Sequence, residues 1–410
     1  MVILVLNCGS SSIKYQVIRM ISMEEHVLYA KGLIERIGQE EGRFIHTPVV
    51  PSCEGKLPYE VRTKIPDHTK GISMIIQALT DDNHGVISSL SDLRAVGHRV
   101  AHGGEYFRDS VRITKEVIEK IAACAPLAPM HNPANLIGIE AISNLLPNIP
   151  QVAAFDNQLY QTMPPKNYIY ALPYEYYLRL RVRRYGFHGM SHKFVSAKCS
   201  ALAGLDFGTS KIITCHIGNG ASITATLFGK AYDTSMGFTP TDGLIMGTRC
   251  GNVDPGALIY IAEKDELSFN KLRTMLNEQS GLLGISGISS DMRDVVSAAK
   301  AGNERAQLAM EMYSTRIKKY IGEYAAAMGG VDLVAFTGGV GENNPWLRRA
   351  VCEDMEFMGI EFDAAANEDA RGVDRIISKK NSKVKVMVAT TNEELVIATD
   401  TFRLLKRKSE

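Results

Sequence analysis

The feature that most constrains this chain is a repeated unit: an apolar strand, a turn of small polar residues, and a second strand. Residues 2–6 (VILVL) run into Asn7-Cys8-Gly9-Ser10-Ser11-Ser12, and an apolar-rich run resumes at 13–17. About two hundred residues later Ile212, Ile213 and Thr214 lead to His216-Ile217-Gly218-Asn219-Gly220, and strand-like residues resume at 223–226. β-branched runs on both sides of a glycine-bearing turn predict a hairpin. A turn stripped of side chains lets backbone N–H groups crowd close to a ligand, as a phosphate tail requires. A single glycine-rich hairpin tip is ordinarily only a turn. Two copies in one chain predict a duplicated fold with a nucleotide between the halves.

At 410 residues the chain exceeds one ordinary core, so two domains are expected. The composition shifts after Pro164 and Pro165 into a Tyr-rich stretch, 168–177, which marks the boundary. A net charge of +1 supplies no global field for nucleic acid or membranes. No apolar run reaches transmembrane length. Seven scattered cysteines with no C-x-x-C pair argue for a reducing compartment, against a disulfide framework and against structural zinc. The N-terminus opens on an apolar strand without a basic region, so a signal peptide is not expected and the cytoplasm is.

Candidate functional residues sit where predicted strands end. Residues 95–104 (AVGHRVAHGG) read as a strand entering a diglycine turn. An arginine at the end of a buried strand is costly unless it meets an anion, so Arg99 is either a ligand contact or half of a structural salt bridge. His131 lies in the Pro-rich loop 125–133, as a ligand contact or a packed loop residue; a helix 132–146 follows, with Asn132 as N-cap and Pro133 at its first position. The apolar run 152–155 ends in Asp156, at the strand end where α/β folds place metal and phosphate chemistry, although an Asp also opens turns. His188 and His192 stand four apart, but Gly186 and Gly189 disfavour a helix through His188 and no third ligand is evident, so zinc is not expected.

Further on, residues 233–254 carry Arg249 in a Gly/Thr-rich segment with little apolar content, predicted to line a cleft rather than a core. Residues 282–294 read as a Gly/Ser loop ending in Asp291 and Arg293. Residues 304–328 read as an amphipathic helix with a core stripe of Leu308, Met312, Ile317, Tyr320, Tyr324 and Met328. A strand at 331–336 enters the glycine-rich loop 337–344, which fits neither the Walker A nor the G-x-G-x-x-G pattern. After the last strand, 384–389, Thr391 and Glu394 have capping-box spacing, which leaves Glu393 as the freer carboxylate.

Strand-to-glycine junctions, two isolated arginines, one strand-end Asp and one late Glu, with no Ser/His/Asp triad or cysteine nucleophile in view, fit phosphoryl transfer. There the protein positions groups and neutralises charge more than it does covalent chemistry. Arginine forks suit both a carboxylate and a transferring phosphoryl group.

With these segments in view the chain resembles the acetokinase family, within the superfamily of acetate and sugar kinases, Hsp70 and actin. The matching segments are LVLNCGSSSIKY, VGHRVAHGG, MHNPAN, RRYGFHGMSH, HIGNGAS, DTSMGFTP, GLIMGTRCGNVDPG, SGLLGISGISSDMRD, FTGGVGEN and TNEEL, in order along nearly the whole chain. The resemblance implies an α/β fold of two ribonuclease H-like (actin-like ATPase) domains, with duplicated mixed sheets flanked by helices and a cleft between. The expected division is 1–162, completed by a C-terminal helix 393–410, and 163–392. It implies reversible phosphoryl transfer from ATP to acetate, giving ADP and acetyl phosphate, with Mg2+ (Mn2+ as its substitute), in a homodimer with no nucleic-acid or membrane partner. By motif, Asn7 and Glu393 organise the metal, and Ser10, Ser12 and Lys14 lie near the phosphates. Arg99 and Arg249 resemble the catalytic arginines, Asp156 the essential carboxylate and His188 the transition-state histidine. The stretches His216, Ile217, Gly218, Asn219, Gly220; Asp291, Met292, Arg293; and Gly339, Val340, Gly341, Glu342, Asn343 resemble three nucleotide loops. Val100, Leu127, Phe187 and Pro240 would line the substrate methyl.

The chain departs from the family after Asp156. There the family usually has Thr, a small residue, Phe and His; here stand Asn157, Gln158, Leu159 and Tyr160. That leaves acyl preference open among acetate, propionate and butyrate. A pyrophosphate-dependent relative is disfavoured by intact adenosine loops. An actin- or Hsp70-like ATP-driven binding protein would not need Arg99 and Arg249 beside a small apolar pocket.

Overall fold

Three parallel strands with their C-terminal ends aligned position the first set of candidate residues. The computed structural model describes residues 1–49 and 58–406, so residues 407–410 of the expected terminal helix lie outside it. The chain forms two compact units, residues 1–158 together with the segment from Asn392, and Leu159–Thr391. The division falls at Gln158 rather than at residue 162 because Tyr160 and Thr162 already bond into the second unit, to Phe187 and Ala231.

In unit 1 the strands are β1 (Val2–Cys8), β2 (Ser12–Met20), β3 (His26–Glu35), β4 (Gly42–Pro48), β5 (Tyr59–Thr63), β6 (Leu93–Val100), β7 (Val111–Arg112) and β8 (Gln151–Phe155), in the order β5-β4-β3-β2-β1-β6-β8-β7. β1 and β2 are the expected hairpin, with Asn7 opposite Lys14. β6 runs parallel to β1 and β8 parallel to β6, so Leu6 aligns with His98 and Arg99 with Ala154. Asn7, Arg99 and Asp156 therefore emerge at the same end of the sheet. Leu4, Leu6 and Cys8 share a core with Ile72 and Ile75 of helix His68–Leu79 and Ile142 of helix Asn132–Leu145. Helix Glu393–Lys406 packs on β6 at Gly97, where a Cβ would run into Ile397 and Thr401.

Unit 2 repeats the plan. Its strands are β9 (Lys211–Ile217), β10 (Ala221–Leu227), β11 (Lys230–Thr234), β12 (Leu333–Thr337), β13 (Arg375–Ile376) and β14 (Lys385–Val388), in the order β11-β10-β9-β12-β14-β13. An antiparallel β9-β10-β11 meander again stands beside two strands parallel to its first member. The period of two sorts each strand onto two faces. Ile212, Leu333 and Ala335 join Val195 and Cys199 of helix Gly189–Leu202. Ile213, Cys215, Val334 and Phe336 join Tyr313, Ile317 and Tyr324 of helix Glu304–Met328. Both units are thus mixed sheets flanked by helices.

Local expectations are corrected at several points. Asn132 does not cap its helix: His131 holds that position without a capping bond, because the buried Asn132 amide is spent on the His102 N–H and on the carbonyls of His102 and Ile121. Residues 233–254 are not all cleft lining, since Met236, Leu244, Ile245 and Met246 are buried in the unit 2 core. Residues 282–294 are partly helical, with short helix Gly281–Ser286 and helix Met292–Lys300. The glycine-rich stretch after β12 is itself helix Gly338–Asn343. In the long helix Leu308 and Met312 are 50% and 38% exposed, and Ala306, Ala309, Met310 and Tyr313 make the buried stripe there. The last helix is capped by Asn392, whose Oδ1 accepts the Leu395 N–H, and not by a Thr391–Glu394 box.

His98 is buried against the Gln151 amide, and burial pushes its pKa down to about 4. An unfolded histidine titrates near 6.5. The folded value is depressed, so the stabilisation is complete above pH 6.5 and is lost as pH falls towards 4. Urea unfolding of His98→Asn should show a shallower fall in stability between pH 7 and 5 than the parent chain, by about 2 kcal/mol.

Candidate active site

In unit 1 the Arg99 guanidinium donates from Nη2 to Asp156 Oδ2 at 2.9 Å and from Nη1 to Asn7 Oδ1 at 3.4 Å. Asp156 is 1% exposed and Arg99 18%. Arg99 Nε is buried with no acceptor among the described residues. Burial works against the charge of Arg99, but the Asp156 and Glu393 carboxylates outweigh it and its pKa is raised. Glu393 moves the other way: burial first, then the Asp156 charge, push its carboxyl up to about 7, with Arg99 opposing. The strand ends are fixed by Asn135, which donates to the Cys8 carbonyl and accepts the Ala101 N–H. Ser10 and Lys14 are exposed and Ser12 is half-buried on this hairpin. Val100 is sealed in the unit 1 core, and Leu127 is half-buried in a single 3-10 turn.

Two carboxylates and one amide oxygen against one guanidinium leave a surplus of hard, negative oxygen. Among the described residues no cluster of three or more His, Cys, Asp or Glu could hold a metal by itself. The oxygen donors present, Asp156, Glu393 and Asn7, are of the kind Mg2+ takes, since it keeps several waters and needs only one or two carboxylates besides its phosphate ligands.

In unit 2 a second set converges on the turn after β9. A Cβ at Gly220 would lie 3.4 Å from Arg249 Nη1 and 3.5 Å from His188 Nε2, so guanidinium, imidazole and glycine turn share one small space. Arg249 Nη1 donates to the Pro240 carbonyl at 3.3 Å, and burial lowers its pKa. His188 has φ +58° at the cap of helix Gly189–Leu202, which explains why the helix does not run through it. Its Nδ1 bonds Ser222 Oγ at 2.9 Å, and its ring stacks on His216 at 4.3 Å. His216 Nδ1 bonds Ser191 Oγ, and the fully buried His192 spans Ser222 and Thr214. Phe187 is buried beside this set and Pro240 is half-buried.

The remaining nucleotide candidates lie on neighbouring elements of unit 2. Gly247 N donates to the Asn219 carbonyl, and a Cβ at Gly247 would collide with Asn219 Oδ1. Gly218 closes the turn by donating to the Gly220 carbonyl. Ile217 is buried beneath Gly338 and Gly341. Asp291 caps helix Met292–Lys300 and pairs with Arg293 at 2.6 Å, while Met292 is buried in the core and Val340 packs on it. The carboxylate of Glu342 is taken by Thr337 Oγ1 and the N–H groups of Gly338 and Thr391. Asn343 Nδ2 donates to the Gly339 carbonyl. A cavity of about 700 Å³ opens here, lined by Arg293, Lys300, Met310, Asn343, Trp346 and Arg371. That is the size and mixed lining expected of a small-molecule site.

Sequence reading missed Asn135, Ser191, Ser222 and Thr214. The signal was present for the last two: polar residues alternating into a strand pair that is otherwise apolar. No helix among the described residues is long and apolar enough to cross a membrane.

The profile of the Acetokinase family matches residues 2–399. An acetate kinase of Bacteroides thetaiotaomicron is 53% identical over 99% of this chain and 100% of its own length. The crystal structure of Porphyromonas gingivalis acetate kinase is 51% identical, with TM-score 0.92 over 98% of this chain and 99% of that one. A propionate kinase from Francisella tularensis is 39% identical, with TM-score 0.88 over 98% and 99% of the two chains.

Gly281 adopts φ +62°, and a Cβ there would run into the carbonyls of Met246 and Arg249. Gly281→Ala should therefore lower stability by about 2–4 kcal/mol, combining backbone strain with overpacking. The urea midpoint measures it; an unchanged midpoint means the Arg249 loop yields freely.

Proposed function

The chain belongs to the acetokinase family, and we propose that it catalyses reversible, Mg2+-dependent transfer of a phosphoryl group from ATP to acetate, giving ADP and acetyl phosphate. The observation that carries this reading is the packing of Arg249 and His188 against the glycine turn His216–Gly220. A guanidinium and an imidazole beside a side-chain-free turn form a preorganised set of donors for charge developing on a transferring phosphoryl group.

Acetate is ionised at neutral pH, since carboxyl groups titrate near 4. It needs no general base to attack. Asp156, already bonded to Arg99, holds that guanidinium and with Asn7 and Glu393 supplies oxygen ligands or holds waters for Mg2+. Mg2+, when bound, neutralises charge on the phosphate oxygens, and Mn2+ accepts the same oxygen donors. Arg99 and Arg249 offset repulsion between the carboxylate and the polyphosphate. His188 donates to an oxygen of the transferring group, its ring held by Ser222 and His216. Ser10, Ser12 and Lys14 contact phosphates. The stretches 216–220, 291–293 and 339–343 hold the nucleotide, with the cavity beside Arg293 and Asn343 taking its adenosine end. Glu342 serves there by fixing its own helix. Of the apolar candidates for the methyl group, Phe187 and Pro240 lie beside His188 and Arg249, Leu127 is half-buried in unit 1, and Val100 is excluded because it is sealed in the unit 1 core.

We place the enzyme in the cytoplasm as a homodimer; exposed Ile259, Tyr260 and Phe269 supply apolar surface for association. The likeness to a propionate kinase keeps the longer acids as the second reading, at lower identity than the acetate kinases. One methylene is worth about 1–3 kcal/mol in a small apolar pocket. Trapping the acyl phosphate as its hydroxamate over a series from formate to butyrate should give the highest kcat/KM for acetate; a maximum at propionate or butyrate reassigns the substrate.

Arg249→Ala should keep the fold and nucleotide affinity while kcat falls by about 10³, as removal of a transition-state arginine does. Retention of more than a tenth of the rate sinks the role given to Arg249.

A further inference from the structure

We propose that Tyr160 is a positioning residue for His188, acting through the peptide that joins Phe187 to His188. The inference rests on the reading of His188 given above. Tyr160 is fully buried in the 3-10 segment Gln158–Thr162. Its hydroxyl donates to the Phe187 carbonyl at 2.7 Å and pairs with Thr224 Oγ1 at 3.0 Å. Its ring lies on Gly186, which has φ +75°; a Cβ there would run into ring carbons. Tyr160 therefore grips two successive backbone units immediately before His188.

The grip has a specific consequence. The Phe187 carbonyl and the His188 N–H belong to one planar peptide, so turning that plane changes φ of His188. His188 stands at φ +58°, a left-handed conformation that is unfavourable for a residue with a Cβ. Such a conformation persists where surrounding bonds over-determine it. From the side chain, Ser222 and the His216 ring hold the imidazole. From the backbone, the Tyr160 hydroxyl holds the peptide.

Packing and positioning separate by chemistry. The ring fills the core with Met163 and Ala231. Only the hydroxyl reaches the carbonyl. Tyr160→Phe keeps the ring and removes the bond. The experiment measures kcat, both KM values, melting temperature and the His188 imidazole resonance, assigned by its loss in His188→Gln. The expected result is a kcat lower by about three- to tenfold, matching the loss of one hydrogen bond. KM values should hold, the melting temperature should fall by only a few degrees, and the His188 resonance should shift. Thr224→Val removes a second partner of the hydroxyl but leaves the Phe187 bond, and should keep kcat. The proposal is overturned if Tyr160→Phe retains full kcat, fails to fold, or loses rate with the His188 resonance unmoved. It is equally overturned if Thr224→Val reproduces the loss. Full kcat in His188→Gln overturns instead the reading of His188 itself.

Discussion

Taking a guanidinium and a carboxylate out of water costs several kcal/mol per ion, and their attraction repays it only when the geometry is good. Arg99 and Asp156 meet that condition at 2.9 Å, with the Asn7 amide on a second nitrogen. The two can meet because β6 and β8 are parallel neighbours in a fixed register, which brings their ends together. Much of unit 1 maintains that register. Asn135 ties the ends of β1 and β6 from one helix, and Gly97 lets the last helix settle directly on β6. Glu393 then arrives beside this pair in a buried position, and burial first, then the Asp156 charge, makes its own carboxyl resist ionisation.

Unit 2 answers to a different constraint, the closeness of backbones. Gly247 meets Asn219, Gly281 meets Arg249, and Gly338 meets Ile217, each without room for a side chain. Arg249 stands beside the glycine turn because the segments around it pack at backbone distance. Its guanidinium is partly desolvated there, which lowers its pKa and strengthens any interaction it makes with an anion.

What could be read in the sequence follows from this division. Hairpins, strand ends and the paired sheets were legible because β-branched runs and small turns act locally. Arg99, Asp156 and Arg249 were legible as charges in positions that need a reason. Choices decided by tertiary contact were not. Asn132 has the residue type of a cap, but a buried amide among three backbone groups gains more from them than from capping. Thr391 and Glu394 have the spacing of a capping box, yet Asn392 is one residue closer to the helix and takes the Leu395 N–H. Leu244, Ile245 and Met246 sit among glycines and threonines that lower the local hydrophobicity, and a window average cannot see that they point into the core. The glycines of 338–341 suggest an open loop, but helix Gly338–Asn343 is locked from outside by its own Glu342 carboxylate.

The residues after Asp156 spend their polar groups on the elements around them. Asn157 accepts the Gly103 N–H and donates to the Gly104 carbonyl, so its amide closes the diglycine turn after β6. Gln158 accepts from the Phe155 N–H and the Ser110 hydroxyl, and donates to Asp400 on the last helix. Asp400 in turn meets Arg403, which holds Asp109. Buried amides without partners would be destabilising by a few kcal/mol each. Here the Asn157 and Gln158 amides find their partners inside unit 1, and the Tyr160 hydroxyl finds Phe187 and Thr224 inside unit 2. The strand-end carboxylate of Asp156 thus stands directly before two amides whose hydrogen bonds are already made.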